Sequence, residues 1–470
     1  MNDDVLYSSV VDLAAQIRAR KLSPVALTEA YLERSAKLGG RLNAYATLMR
    51  DRALREAKAA ESEINAGKVR GPLHGIPYAA KDLLAAEGAP TTWGARPFAK
   101  QTFDRDAHVV QRLKDAGAIL IGKAAMIELA GGMGYRYGTA SLTGGAKNPW
   151  NETCWTCGSS SGSGAIVAAG LAAFAIGSET WGSIICPSAY CGVSGLRPTF
   201  GRVGRGGAMA LSYSMDKIGP MARTAEDCGF ILAALAGHDR NDRHSLPDDE
   251  ARFGYSRELR PLRIGRVTNA WASMQPDVEA ATNAAFAVLA KAGAKIVDVK
   301  LPEGPWEMAA GVTIQVECGS AFDAFIETGR IAELDDPGSR IGGYINRTIS
   351  GADYLRAQRL RTLLQRLIDR MFDDVDVLAT ASLPVAATPM EANLETDLAF
   401  SDALGGIGNA CGLPGMSVPS GFTSKNLPVG IQFVGRAMDD NAVLAAGKLF
   451  QSNTDWHKRR PPGNAGVHTG

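Results

Sequence analysis

The most unusual composition in the sequence lies between Cys157 and Thr199. A polar loop, Gly158-Ser159-Ser160-Ser161-Gly162-Ser163-Gly164, runs into the apolar stretch 165–170, and a second small-residue loop follows at Gly177 to Pro187. Backbone amides in such loops approach a ligand closely, and a loop feeding a helix start can cradle an anion. Nucleotide binding does not follow, because a P-loop would end in Gly-Lys-Ser/Thr and Val167 stands where a dinucleotide fingerprint needs its third glycine. Ser160, between Gly158 and Gly162, also satisfies the nucleophile-elbow pattern of an α/β-hydrolase. That elbow follows a hydrophobic strand, whereas Asn148-Pro149-Trp150-Asn151-Glu152-Thr153 reads as a turn, and only His238, His244, His457 and His468 lie downstream to serve as base. Cys154 and Cys157 with Cys186 and Cys191 can be drawn as a zinc site. The second spacing is loose and no histidine lies nearby, so the thiols read as small buried residues and no metal is expected.

A more specific pattern emerges from three segments together: Gly75-Ile76-Pro77-Tyr78-Ala79-Ala80-Lys81-Asp82, the Gly/Ser loop, and Gly177-Ser178-Glu179-Thr180-Trp181-Gly182-Ser183-Ile184-Ile185-Cys186-Pro187. With Cys191-Gly192-Val193-Ser194-Gly195-Leu196-Arg197-Pro198-Thr199 and, near the C-terminus, Leu427-Pro428-Val429-Gly430-Ile431-Gln432-Phe433-Val434-Gly435, they resemble the amidase signature family. The similarity covers most of the chain and is weakest from about Gly237 to Asp373. It implies a single domain over 1–470, with a signature core at about 70–230 and a less similar substrate-side insertion at about 237–373. It also implies a Ser-cisSer-Lys triad, whose two serines are separated by 24 positions, as Ser159 and Ser183 are. Carried over, Ser183 becomes the nucleophile, Ser159 the bridging serine after a cis peptide from Gly158, and Lys81 the base.

The residues themselves suit these roles. A serine hydroxyl is a weak nucleophile until a neighbouring base takes its proton. Lys81 can be that base only when neutral, and moving its pKa from the ordinary lysine value to roughly 7 to 8 corresponds to about 4 kcal/mol of disfavoured charge. The neighbours Ile76, Tyr78, Ala79, Ala80, Leu83 and Leu84 supply an apolar setting, and Asp82 is expected to point away. Attack on an amide carbonyl develops charge on oxygen, for which the backbone N–H groups of Thr180, Trp181, Gly182 and Ser183 are candidate donors, each worth about 2.7 to 4 kcal/mol.

Departures from the family pattern bear on specificity. Trp181 stands where most relatives have glycine or alanine, so its indole is expected to leave the turn, into the core in preference to the substrate pocket. Glu179 replaces the common aspartate, and Cys157 and Ser161 replace glycines. Many relatives carry an arginine two or three residues after the nucleophile, where Ile185 and Cys186 stand here, which favours a neutral, apolar substrate over an anionic one. Met133, Tyr135 and Tyr137, after Gly131-Gly132, are further candidates for an aryl or alkyl pocket. The implied activity is hydrolysis of linear amide C–N bonds through an acyl-enzyme on Ser183, with ester or carbamate cleavage as side activities and no cofactor. Two alternatives stand beside it: the A subunit of a tRNA-dependent glutamine amidotransferase, and a non-catalytic scaffold in which Trp181 blocks the oxyanion hole.

Positioning these residues requires a sheet. Helical stretches alternate with short apolar runs at Ala118 to Ile121, Arg263 to Val267 and Val375 to Leu378, which predicts a large α/β domain with a central mixed sheet covered by helices on both faces. Ser9 to Leu48 reads as two amphipathic helices split at Ser23-Pro24, and Leu355 to Met371 as a surface helix. With 50 Lys plus Arg against 49 Asp plus Glu, the net charge of +1 leaves no electrostatic footprint for nucleic acid. The expected partner is therefore a small-molecule amide, without nucleic acid or membrane, and with a homodimer as an option because members of the family are often dimers. The opening Met1-Asn2-Asp3-Asp4 lacks a signal-peptide layout, and seven cysteines, an odd number, suit reduced thiols, so a cytoplasmic location is expected.

Overall fold

Short apolar runs bounded by glycine and proline become strands where neighbouring runs supply both their hydrogen bonds and their burial. A computed structural model, which describes residues 3–462, shows this for β1 (Tyr45–Leu48), β2 (Pro77–Lys81), β3 (Ile119–Ala124), β4 (Lys147–Asn148), β5 (Asn151–Trp155), β6 (Phe174–Glu179), β7 (Ser194–Arg197), β8 (Lys217–Ala222), β9 (Arg263–Val267), β10 (Lys295–Val299), β11 (Val377–Ala381), β12 (Gly415–Phe422) and β13 (Pro428–Gly435). Eleven of these join one mixed sheet in the order β1-β3-β2-β6-β8-β7-β12-β13-β11-β9-β10, while β4 and β5 pair separately. The α/β architecture expected from the sequence is the one formed. Strands β9 and β11 contain or overlap the runs read as strands around Arg263 and Val375, and β9 pairs in parallel with β11 on one side and with β10, which was not read from the sequence, on the other.

Strands β2, β3 and β6 lie side by side in parallel, so their carboxyl ends open on the same edge of the sheet. Every residue of β2 and β3 is buried, as central parallel strands require. In open α/β sheets this edge is where ligands bind. The chain leaves β6 through residues 180–184 and re-enters regular structure in the helix Ile185–Cys191. The Gly/Ser loop ends in the helix Ser161–Ala168, which is buried on all sides. That helix can be buried because Gly162 has no side chain: a Cβ there would lie 2.3 Å from the Ala44 carbonyl oxygen and 2.5 Å from the Ala125 nitrogen.

Serine caps behave as their positions suggest. Ser9 accepts the Asp12 N–H ahead of the helix Val10–Arg18, and Ser23 accepts the Ala26 N–H ahead of Pro24–Arg34, with proline in its first turn. The second helix is shorter than its pattern implied, because Tyr45 to Leu48 is drawn into the sheet beside β3. The helix Gly351–Met371 contains the predicted Arg/Leu-rich stretch. Segment 237–373 contributes β9 and β10 to the main sheet and the helix Trp306–Ala321. No helix among the described residues is long and apolar enough to cross a membrane.

Candidate active site

Lys81 is the last residue of β2, and its side chain is fully buried. Its Nζ lies 2.7 Å from Ser159 Oγ, 3.0 Å from Ser178 Oγ and 3.4 Å from the Ser178 carbonyl oxygen. Burial lowers the amine to about 7, against the opposing pull of Asp216 and Glu179. Asp82 does point away, as expected: it forms an ion pair of 2.8 Å with Lys123 and accepts the Thr92 N–H at 3.1 Å and the Thr92 hydroxyl. The peptide between Gly158 and Ser159 is cis. Cys157 carries the positive φ of this loop, +61°, although a side chain makes that conformation uncommon.

Ser183 sits in the loop after β6 and is nearly buried, with 8% of its surface exposed. Its carbonyl accepts the Ser160 N–H at 3.3 Å, which ties the two loops together. Among the described residues no hydrogen bond joins Ser183 Oγ to Ser159. Ser160 itself is locked: its hydroxyl donates to the Ser178 carbonyl at 3.1 Å and accepts the Ser178 N–H at 3.3 Å. A buried hydroxyl so committed is a loop staple, which removes the elbow reading. Of the histidines considered as its base, His468 lies outside the described residues, as do Met1 and Asn2 of the opening stretch.

Glu179 holds the loop in place from beneath. One carboxylate oxygen accepts the N–H groups of Ile184 and Ile185 at 2.8 and 2.9 Å, and the other receives Arg197 at 2.6 Å and Asn409 at 2.9 Å. Burial alone would raise this acid, but Arg197 and the N–H donors outweigh it and hold it at about 2. Thr180 is anchored through its hydroxyl to Asp216 at 2.5 Å. Between these anchors, the backbone N–H groups of Trp181, Gly182 and Ser183 meet no acceptor among the described residues. The positive φ of the turn, +79°, falls on Gly182, so Trp181 needs no left-handed conformation.

These residues border a cavity of about 430 Å³ lined by Thr180, Trp181, Gly182 and Ser183 on one side and by Tyr135, Trp155, Leu383 and Phe400 on another. Cys157, Gly158 and Cys186 also line it, and Glu307, Ile314 and Asp402 come from distant segments. Of the pocket candidates read from the sequence, Tyr135 and Cys186 line this cavity. Met133, Tyr137 and Ile185 do not: Met133 is buried in the main core, the Tyr137 N–H is bound to Asp336, and Ile185 begins a helix with its N–H on Glu179. The expectation that the Trp181 indole enters the core is met in part, since it packs against a hydrophobic core cluster that includes Leu404, Ile407 and Trp306, yet it also reaches the pocket. It is half-buried, borders the cavity, and donates its Nε1–H to Asp402 at 2.9 Å, so that its polar edge is satisfied while its ring packs. Burial raises Asp402 to about 6. Ser178, Glu307 and Asp402 were missed from the sequence. Ser178 had a local signal, standing in the small-residue run that ends β6, while Glu307 and Asp402 had none.

The family model described as Amidase matches residues 26–444. The A subunit of the glutamyl-tRNA(Gln) amidotransferase of Chloroflexus aggregans is 37% identical over 97% of this chain and 98% of its own length. Its namesake from Methylococcus capsulatus is 36% identical over 97% and 99%. Among solved structures, the peptide amidase of Stenotrophomonas maltophilia superposes with a TM-score of 0.83 at 32% identity, covering 98% of this chain and 99% of that one. These relatives overturn the expectation of a lone small-molecule substrate with no nucleic acid and, at most, a second copy of the chain as partner. Proteins similar over nearly their whole length are named as one subunit of an enzyme acting on a glutamyl-tRNA. The near-zero net charge misled because it averages over the whole surface and says nothing of a partner that could carry the contacts to nucleic acid.

Proposed function

The chain belongs to the amidase family of amide C–N hydrolases, and from that premise we propose that it forms an acyl-enzyme on Ser183 with Lys81 as the base. The observation that carries this reading is the fully buried Lys81 amine, held at about 7 and bonded to Ser159 beside the cavity that Ser183 borders. Near neutral pH a sizeable fraction of that amine is uncharged and accepts a proton. The proton of Ser183 Oγ passes to Ser159, whose own proton passes to Lys81. This relay closes when substrate tightens the site, since catalytic hydrogen bonds are often long before it binds. Oγ bonds to the amide carbon, and the oxyanion is received by the free N–H groups of the loop 181–183. The C–N bond breaks as Lys81 returns its proton through Ser159 to the leaving nitrogen. Water then repeats the sequence on the ester, restoring the serine and releasing the acid. The cavity walls favour a neutral apolar or aryl acyl group, and the same chemistry admits esters and carbamates.

A serine-directed fluorophosphonate should label wild type at Ser183 and leave Ser183→Ala unlabelled, with turnover falling by roughly a thousandfold or more. Labelling at any other serine refutes the assignment.

The relatives support a second reading, and on sequence comparison it has the more direct support: the A subunit of a tRNA-dependent glutamine amidotransferase. The amide cleaved would then be that of glutamine. Against it, the cavity lining contains no lysine or arginine to hold glutamine's carboxylate. Purified chain that hydrolyses neutral amides but not glutamine favours the first reading. Glutaminase activity together with a co-purifying tRNA-binding protein favours the second.

A further inference from the structure

We propose that Trp181 determines acyl specificity by occupying the space beside Asp402, so that the site takes neutral acyl groups and rejects those carrying an ammonium. This rests on the amide-hydrolase reading. The indole is seated by two features of the helix Ala403–Ala410 and its cap. Its Nε1–H is bound to Asp402 Oδ2 at 2.9 Å. Its six-membered ring lies against Gly406, where an added Cβ would come within 2.9 Å of Cζ2 and 3.2 Å of Cη2. Only a residue without a side chain leaves room for the ring at that point.

Both carboxylates that line the cavity already accept hydrogen bonds from the protein. Asp402 Oδ1 accepts the Gly405 N–H at 3.1 Å, and Glu307 accepts the Asp402 N–H at 2.7 Å together with the Ser401 hydroxyl. A substrate ammonium would have to displace the indole to reach Asp402, whereas an alkyl or aryl group meets Tyr135, Trp155, Ile314, Leu383 and Phe400 without displacing anything. Removing the indole reverses both conditions at once: it opens volume, and it leaves a buried carboxylate without its donor, which a cation then satisfies.

The test compares pentanamide with 4-aminobutanamide, which match in length and differ only in a terminal methyl against an ammonium. The ratio of their kcat/KM values within each variant cancels any general effect of the substitution on the oxyanion loop. Wild type should favour pentanamide by about a hundredfold. Trp181→Ala should reduce that ratio by about tenfold or more, and Trp181→Ala with Asp402→Asn should restore it. Trp181→Phe keeps most of the bulk without the donor and should retain most of the wild-type preference, providing a better-folded check should the alanine variant be unstable. An unchanged ratio in Trp181→Ala, or an equal reduction when Asp402 is also replaced, overturns the proposal. Dissociation constants of the two amides on the Ser183→Ala background report the same ratio without turnover. A pocket that discriminates there while wild type hydrolyses neither amide would refute the hydrolase reading and leave the specificity assignment standing.

Discussion

Lys81 on β2 and Lys123 on β3 are fully buried on hydrogen-bonded neighbouring strands, where Lys123 lies opposite Ala80. Burial disfavours the charge on both. They differ in what meets the amine. Lys123 has the Asp82 carboxylate at 2.8 Å and the Thr91 hydroxyl at 2.8 Å, whereas Lys81 has two serine hydroxyls and one carbonyl. The carboxylates that act on Lys81 from further away, Asp216 and Glu179, are committed elsewhere: Asp216 to Thr180 and to the backbone of Leu211 and Ser212, Glu179 to Arg197. Two lysines with the same burial are thus separated into an ion-pair partner and a candidate base by a single carboxylate. Burial alone does not identify a catalytic lysine.

The largest expected effect that would break this comparison is catalytic. Lys81→Met should lower kcat by roughly a thousandfold or more while the thermal midpoint stays near that of wild type, because an uncharged buried amine is exchanged for an apolar chain of similar length. Steady-state kinetics beside a melting curve check it, and retained activity would demote Lys81 to a structural lysine. Lys123→Met should do the opposite. It strands the Asp82 carboxylate in the core and should cost about 3 to 5 kcal/mol in denaturant unfolding. Its surviving native fraction should keep the wild-type kcat.

Glu179 sharpens the contrast from the acid side. Its folded pKa of about 2 lies below the ordinary glutamate value, so its contribution is present above that value and lost as pH falls from about 4.5 through 2. The shift corresponds to about 3 kcal/mol. Unfolding free energies measured across that window should fall steeply for wild type and more gently for Glu179→Gln, which starts less stable at neutral pH. The smallest effect is the pH profile itself. Since the competent form of Lys81 is the uncharged one, kcat/KM should rise with pH and level off above about 7, losing about tenfold per unit below it. The same limb should appear in Lys123→Met. Displacement of the limb in that variant would mean the two amines share one titration.

Much of the fold could be read in advance. The run at Ala118 marked a strand because burial on both faces leaves a continuous hydrophobic signal, the runs at Arg263 and Val375 did so through short apolar stretches broken by a charged residue, and Ser9 and Ser23 marked helix starts because capping is a contact between residues three apart. Lys81, Ser159 and Ser183 could be put forward as a triad because each sits in a dense local motif. The pocket was less legible. Tyr135 follows the glycine pair beside it, but Glu307, Ile314, Phe400 and Asp402 reach the cavity from segments more than a hundred residues from the nucleophile, and nothing in their neighbours marks them. Met133 and Ile185 were misplaced because proximity in sequence to a loop does not say which side of the backbone a side chain takes.

The sequence by itself determined the parts: a lysine in an apolar strand, two serines at the family's spacing, small residues where backbone must approach backbone, and an indole where a small residue is usual. Tertiary structure alone decided their states. Asp82, adjacent to Lys81 in the chain, belongs to Lys123 instead, because the chain turns after Lys81 and delivers the carboxylate to the amine on the neighbouring strand. The direction of the Trp181 ring was set by a carboxylate 221 residues away. Proton affinity and side-chain direction depend on every group within a few ångströms, and at the edge of an eleven-stranded sheet those groups arrive from all over the chain.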